Sequence, residues 1–260
     1  MATIEELLHR RTDLSTFLVH FARSYNRRSA RNNLVSILRD RRIEARSVYG
    51  MAGRLVERFP ALADDQRTVC FTETPLEHAW MMCSRIEGRS VQFDDGYGIA
   101  FTKTFARRRG ANPVWYLDIT TGHNWLTVPI DQLLDQAVAD ATPRRATTPD
   151  IERLASAPIL RLTPFIEQMG NPSGRRKEFW WEREWRHVGN LSFGTDDIVV
   201  VFAPEDEHDD LRARLSKRPR FASRTPAIAS SMPAFVDAQW GLERMIGALA
   251  DVADLGPFPE

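Results

Sequence analysis

An α+β fold is what this sequence predicts, and three observations carry the prediction. Short β-branched or aromatic runs at Thr68–Thr72, Tyr97–Phe101 and Asp197–Phe202 read as strands. Five or six such strands are interspersed with helical patterns that crowd toward the N-terminal side, not in regular βαβ alternation. Neither a Walker loop nor a Gly-x-Gly-x-x-Gly is present, which argues against a doubly wound nucleotide fold. The 260 residues are enough for one sizeable core. We expect a single domain over 1–260, with a core at about 15–205 and a C-terminal helical extension at about 206–260.

In chain order, 3–10 reads as a short helix and Phe17–Phe21 as an apolar strand carrying His20. Asn32 or Asn33 is placed to cap a helix through Leu34–Leu38, with Ile43–Arg46 as a short return strand. Residues 61–67 look like loop. After the Thr68–Thr72 strand, Pro75 suits the first position of a helix over Leu76–Arg85, capped by Thr74. The turn Asp94-Asp95-Gly96 introduces the Tyr97–Phe101 strand, and Thr102 or Thr104 opens a short helix. Asn112-Pro113 leads into Val114–Leu117, a strand whose proline belongs at its start or at a sheet edge. Helices are expected from Pro129 to 140 and from Pro149-Asp150 to near Pro158; Leu160–Met169 has helical spacing, with Pro164 near a helix start. Ile198–Phe202 is apolar on both faces and reads as a central strand. Two further helices are expected at Glu207–Leu215 and at Pro233–Val252.

Composition narrows the function classes. Hydrophobic residues at 43% and charged residues at 27% are ordinary globular values, and no apolar run approaches the roughly 20 residues of a membrane span. Met1–Leu8 has acidic residues and no continuous apolar stretch, unlike a secretory leader, so a cytoplasmic protein is expected. Two cysteines, Cys70 and Cys83, make no disulfide framework. The six histidines are scattered and form no metal-binding pattern, and no nucleophile elbow is present. Net charge is zero, yet eight arginines fall between Arg23 and Arg46, answered only by Asp40 and Glu44. Further basic knots occur at Arg107–Arg109 and Arg175–Lys177. Such patches suit a phosphate-bearing cofactor or nucleic acid, or simply solvate helix faces.

The densest chemistry lies in Phe179-Trp180-Trp181-Glu182-Arg183-Glu184-Trp185-Arg186. If this run is extended throughout, Glu182, Glu184 and Arg186 share one face and Trp181, Arg183 and Trp185 the other. Two readings stay open for it: an ion-paired strand over an aromatic floor, or a catalytic Glu-x-Glu strand.

The strings Val19-His20-Phe21, Val69-Cys70-Phe71-Thr72-Glu73-Thr74-Pro75-Leu76, Tyr97–Phe101, Asn112–Tyr116 and Glu182–Arg186, in that order, resemble the AbiGi family. That bacterial family is one of abortive-infection phage resistance and carries the label antitoxin. The resemblance covers roughly 15–205. More distantly the arrangement resembles an ADP-ribosyltransferase-like core of the DarT type, two small β-sheets with peripheral helices. That resemblance implies NAD as substrate, with His20, Phe21, Arg23, Tyr97 and Phe101 around the cofactor. It also implies Glu184 as the catalytic carboxylate, stabilising an oxocarbenium-like centre, and Glu182 as its helper toward a nucleic-acid or protein acceptor. The arginine-specific Ser-Thr-Ser motif is absent. The competing implication is a non-catalytic antitoxin or sensor that grips a cognate toxin or phage protein and never turns over NAD.

Overall fold

The computed structural model describes residues 14–85, 92–93, 95–171, 174, 177–216 and 232–249. The helix expected at 3–10 and most of the Arg175–Lys177 knot lie outside them. Among the described residues eleven strands follow in chain order: β1 (Phe17–Phe21), β2 (Arg42–Ile43), β3 (Thr68–Thr72), β4 (Gly98–Thr102), β5 (Asn112–Pro113), β6 (Trp115–Asp118), β7 (Ile166–Met169), β8 (Glu184–Val188), β9 (Leu191–Ser192), β10 (Ile198–Phe202) and β11 (Ala234–Val236). Together with the helices this is the expected α+β class. The chain divides into two compact units, one of 1–43, 71–109 and 191–260, the other of 44–70 and 110–190.

In the first unit the strand order is β11-β10-β4-β1, with the Phe71–Thr72 end of β3 next to β1. β10 runs antiparallel to β4 and parallel to β11, so the sheet is mixed. All five β10 residues are buried, as expected of a central strand apolar on both faces. β1 and β4 pair antiparallel, setting His20 opposite Ile99, Phe21 opposite Gly98 and Leu18 opposite Phe101. β2 pairs with β9 in a small separate ribbon. The helix Ala30–Asp40 buries Leu34, Val35 and Leu38. Its cap is Ser29, whose hydroxyl accepts from the Asn32 amide, and not Asn32 or Asn33. Asn33 is buried instead, donating to the Arg23 carbonyl at 2.7 Å, so its amide is already committed inside the fold. Thr102 caps the Lys103–Arg108 helix as expected.

The second unit holds the Thr68–Cys70 end of β3, then β8 and β5, and a parallel pair of β6 and β7. Its core is Met51, Leu55, Leu62, Leu117, Ile130, Leu134, Leu154, Leu160 and Ile166. Pro113 sits on the edge strand β5, where its missing N–H is tolerated. The helix Thr127–Ala141 carries Pro129 in its first turn, and Asp150 caps Ile151–Ala155.

Several expectations are corrected. Residues 61–67 are not loop: Pro60–Leu62 and Ala63–Gln66 are helical turns, held because Leu62 is buried and Gln66 donates to the Leu160 carbonyl while accepting from Thr163. The return strand is Arg42–Ile43, shorter and earlier than Ile43–Arg46. Leu76–Arg85 divides into a 3-10 turn, Leu76–His78, and a short helix, Ala79–Cys83, with Pro75 before the first turn. Leu160–Met169 is no single helix: Pro158–Leu162 is helical, Thr163–Phe165 is a 3-10 turn, and β7 follows because β6 offers it a parallel partner. Pro233–Val252 splits likewise into β11 and a helix at Leu242–Leu249, since β10 recruits Ala234–Val236. The helix Gly50–Arg58 was not anticipated at all.

Candidate functional site

The Glu182–Arg186 run is not one extended strand. Trp180–Glu182 form a 3-10 turn, and Arg183 has a left-handed φ of 47° that reorients the chain before β8 begins at Glu184. Glu182 and Glu184 therefore do not share a strand face. Glu184 and Arg186 do, two residues apart on β8, as strand alternation requires.

Arg186 is the centre of the second unit's polar core and is only 1% exposed. Its Nε and Nη2 donate to the two oxygens of Glu184 at 2.9 and 2.8 Å, a fork that matches the planar carboxylate. Nη2 also donates to Glu167 at 2.6 Å, and Nη1 to the Pro164 carbonyl at 2.9 Å. The Tyr49 ring lies 5.4 Å from the guanidinium carbon. Glu167, on β7, accepts from Lys177 Nζ at 2.5 Å with its other oxygen. Two carboxylates and two cations thus neutralise each other in a largely dry setting.

The electrostatic consequences follow from burial and partners. Burial is the largest single influence and opposes the charge on Arg186, but its partners, Glu184 foremost and Glu167 among them, together outweigh it and hold the guanidinium more firmly protonated than in water. Burial likewise opposes ionisation of Glu167, yet Arg186 and Lys177 win and hold its carboxyl below the usual range. Burial first and Glu184 second push the Tyr116 phenol up; its oxygen accepts from the Glu184 amide at 3.4 Å. Burial, with Glu184 adding to it, also pushes Cys70 well up, so this residue stays a thiol. The carboxylate beside Cys70, that of Glu184, thus suppresses the thiolate and does not activate it.

Because the Glu167 pKa is depressed in the fold, its contribution is present above its unfolded value, about 4.3, and is lost as pH falls through the lower folded value. Denaturant midpoints should hold from pH 7 to about 5 and decline below about 4. In Glu167→Gln the acid decline should be shallower, on a midpoint that is lower throughout.

The first unit holds the other residues singled out from the sequence. His20 lies on β1, with its ring 6.0 Å from Phe71 in an edge-on contact. Phe21 packs against Phe93 and Phe202, and Phe101 is fully enclosed by Phe71, Phe105 and Phe193. Tyr97 precedes β4, its carbonyl accepting from the Ala22 amide. Burial first, and then Glu207, push its phenol up. Arg23 approaches the Tyr25 ring at 6.0 Å. His20, Phe21, Tyr97 and Phe101 are therefore gathered along β1 and β4, while Glu182 and Glu184 belong to the second unit. The strands hydrogen-bonded to β1 are β3 and β4.

Sequence reasoning missed Glu167 and Tyr116 beside Arg186, Lys177 beside Glu167, and the ion-pair cluster of Arg31 with Glu207 and Asp210. The acidic run Glu205–Asp210 and the arginine-rich stretch were both visible, but nothing local joined them. Among the described residues no group of three or more His, Cys, Asp or Glu side chains is placed to hold a metal, and no helix is long and apolar enough to cross a membrane.

These features define an α+β protein with a buried arginine–carboxylate network on its Glu-rich strand. The chain belongs to the AbiGi family, described as "Putative abortive phage resistance protein AbiGi, antitoxin", whose model matches residues 62–217. That span includes Tyr97, Phe101, Glu182 and Glu184 and begins after His20, Phe21 and Arg23. No curated protein and no solved structure matches the chain.

Proposed function

We propose that this chain is an antitoxin-type binding component of a phage-defence, abortive-infection system, and that its Glu184–Arg186–Glu167 network is a framework, not a catalytic centre. The observation that carries the reading is the fork: both oxygens of Glu184 are engaged by a single buried guanidinium. A carboxylate meant to stabilise positive charge developing on a substrate does so by meeting that charge in the transition state. Here the charge it meets is permanent and belongs to the protein. The family description, with its antitoxin label, supports the same reading. One observation favours the second reading, ADP-ribosyl transfer from NAD to a nucleic-acid or protein acceptor: His20, Phe21, Tyr97 and Phe101 gather on adjoining strands.

The test is co-expression with the product of the gene encoded beside this one, with growth and cellular NAD both measured. Under the antitoxin reading the wild-type chain restores growth, forms a stable complex with its partner and leaves NAD unchanged. NAD consumption by the purified wild type that disappears in a folded Glu184→Gln variant would overturn it in favour of the transferase.

A further inference from the structure

The first unit exposes large apolar side chains on two short helices that meet at one turn. Trp80 and Met81, on Ala79–Cys83, are 45% and 44% exposed, and Leu242 and Ile246, on Leu242–Leu249, are 52% and 57% exposed. The second helix packs on β11 and on the Leu76–His78 turn, from which the first helix continues. Leu242 and Ile246 stand one turn apart on one face, while Met245 fills the core on the other. An isolated exposed leucine needs no explanation; four large apolar groups on adjoining elements do.

The helix bearing half of this face is held firmly. Glu205 accepts from Trp240 Nε1 at 3.0 Å and pairs with Arg244, whose guanidinium carbon lies 4.0 Å from the Trp240 ring centroid. The ring of buried His208 packs edge-on against Trp240, and His208 Nε2 lies 2.9 Å from the Ala203 carbonyl oxygen. These contacts anchor the start of the helix before any partner arrives, which favours binding. The surrounding charge is acidic on balance, with exposed Arg85 just past the first helix against it. Glu77 lies on the shared turn, Glu243 on the second helix and Asp206 beside Glu205, and none of the three has a cationic partner among the described residues. Arg244, on the second helix, is spent on Glu205.

We propose that the face of Trp80, Met81, Leu242 and Ile246 docks the toxin partner, which meets it with an apolar patch rimmed by lysine or arginine. The inference rests on the antitoxin reading and adds the site and the partner's chemistry. Charge complementarity selects this occupant: a second copy of the chain would bring its own acidic rim against this one, whereas a basic rim is attracted and steered. Trp anchors within an apolar patch ringed by polar groups are the composition of binding hot spots.

The experiment measures the Kd of the complex with the co-encoded partner for Ile246→Asp, Trp80→Ala, the pair Asp206→Lys with Glu243→Lys, and Trp125→Ala, an exposed tryptophan of the other unit. Thermal midpoints confirm folding, and light scattering reports self-association. Ile246→Asp and Trp80→Ala should each weaken binding tenfold or more. The charge reversal should weaken binding and flatten its dependence on salt, and Trp125→Ala should leave it unchanged. A complex that forms with wild-type affinity in both Ile246→Asp and Trp80→Ala overturns the docking inference and leaves the antitoxin reading standing. A wild-type dimer dissolved by Ile246→Asp assigns the face to a second copy and likewise overturns the inference. Absence of any complex overturns both.

Discussion

Arg186→Met should destabilise the protein by about 3–5 kcal/mol, the largest effect expected of any single polar substitution here. Methionine fills much of the volume but leaves Glu184 and Glu167 without the cation that both share, in a site where Arg186 itself is 1% exposed. Glu167 keeps Lys177, but Glu184 must then protonate, recruit water or rearrange, and all three cost free energy. The urea midpoint reports the loss directly. Combining Arg186→Met with Glu184→Gln and Glu167→Gln should recover part of it, because neutral amides tolerate burial better than unpaired carboxylates. Arg186→Lys keeps the charge but not the fork to Glu184, the bond to Glu167 and the bond to Pro164 together, so a loss of about 2 kcal/mol is expected. A midpoint within about 0.5 kcal/mol of wild type for Arg186→Met would refute the framework role.

Gly50→Ala should be nearly as damaging, by about 3 kcal/mol or more, through backbone geometry instead of charge. Gly50 has φ of +57°, a region that alone disfavours a side chain by roughly 1 kcal/mol. A Cβ there also falls well inside van der Waals contact of the Ile166 carbonyl oxygen and 2.8 Å from Glu167 Oε2. The first neighbour is backbone of β7 and has no rotamer with which to yield. Relief requires moving the strand that presents Glu167 to Arg186, so the variant should lose stability and also the acid sensitivity that Glu167 confers. Gly53→Ala in the same helix is the control: its Cβ meets nothing closer than 3.9 Å, and the change should be neutral or slightly stabilising.

What could be read in advance was whatever short-range chemistry decides. The Thr102 cap, the Asp150 cap, Pro129 in a first helical turn, edge placement of Pro113 and the doubly buried β10 were all legible from residues within a few positions of one another. The segments that misled are those where a distant partner outvotes local pattern. Leu160–Met169 has helical spacing, yet its second half became β7 because β6 lies beside it. Pro233–Val252 reads as an amphipathic helix, yet Ala234–Val236 pairs with β10. The Glu-x-Glu pair was legible as two carboxylates in one short run, but Arg183 in the left-handed region put them on different elements.

By itself, then, the sequence determined the α+β class, most of the strands, the shared face of Glu184 and Arg186, and membership of the AbiGi family. Tertiary structure alone decided which charges neutralise which. Glu167 reaches Arg186, and Lys177 reaches Glu167, only through β7 and its neighbours, and the acidic run at Glu205–Asp210 finds Arg31 only across the first unit's fold. The physical reason is that helix caps and strand alternation act over a few residues of chain. A charge pair depends on separation and on exclusion of water, and neither exists until distant segments have packed.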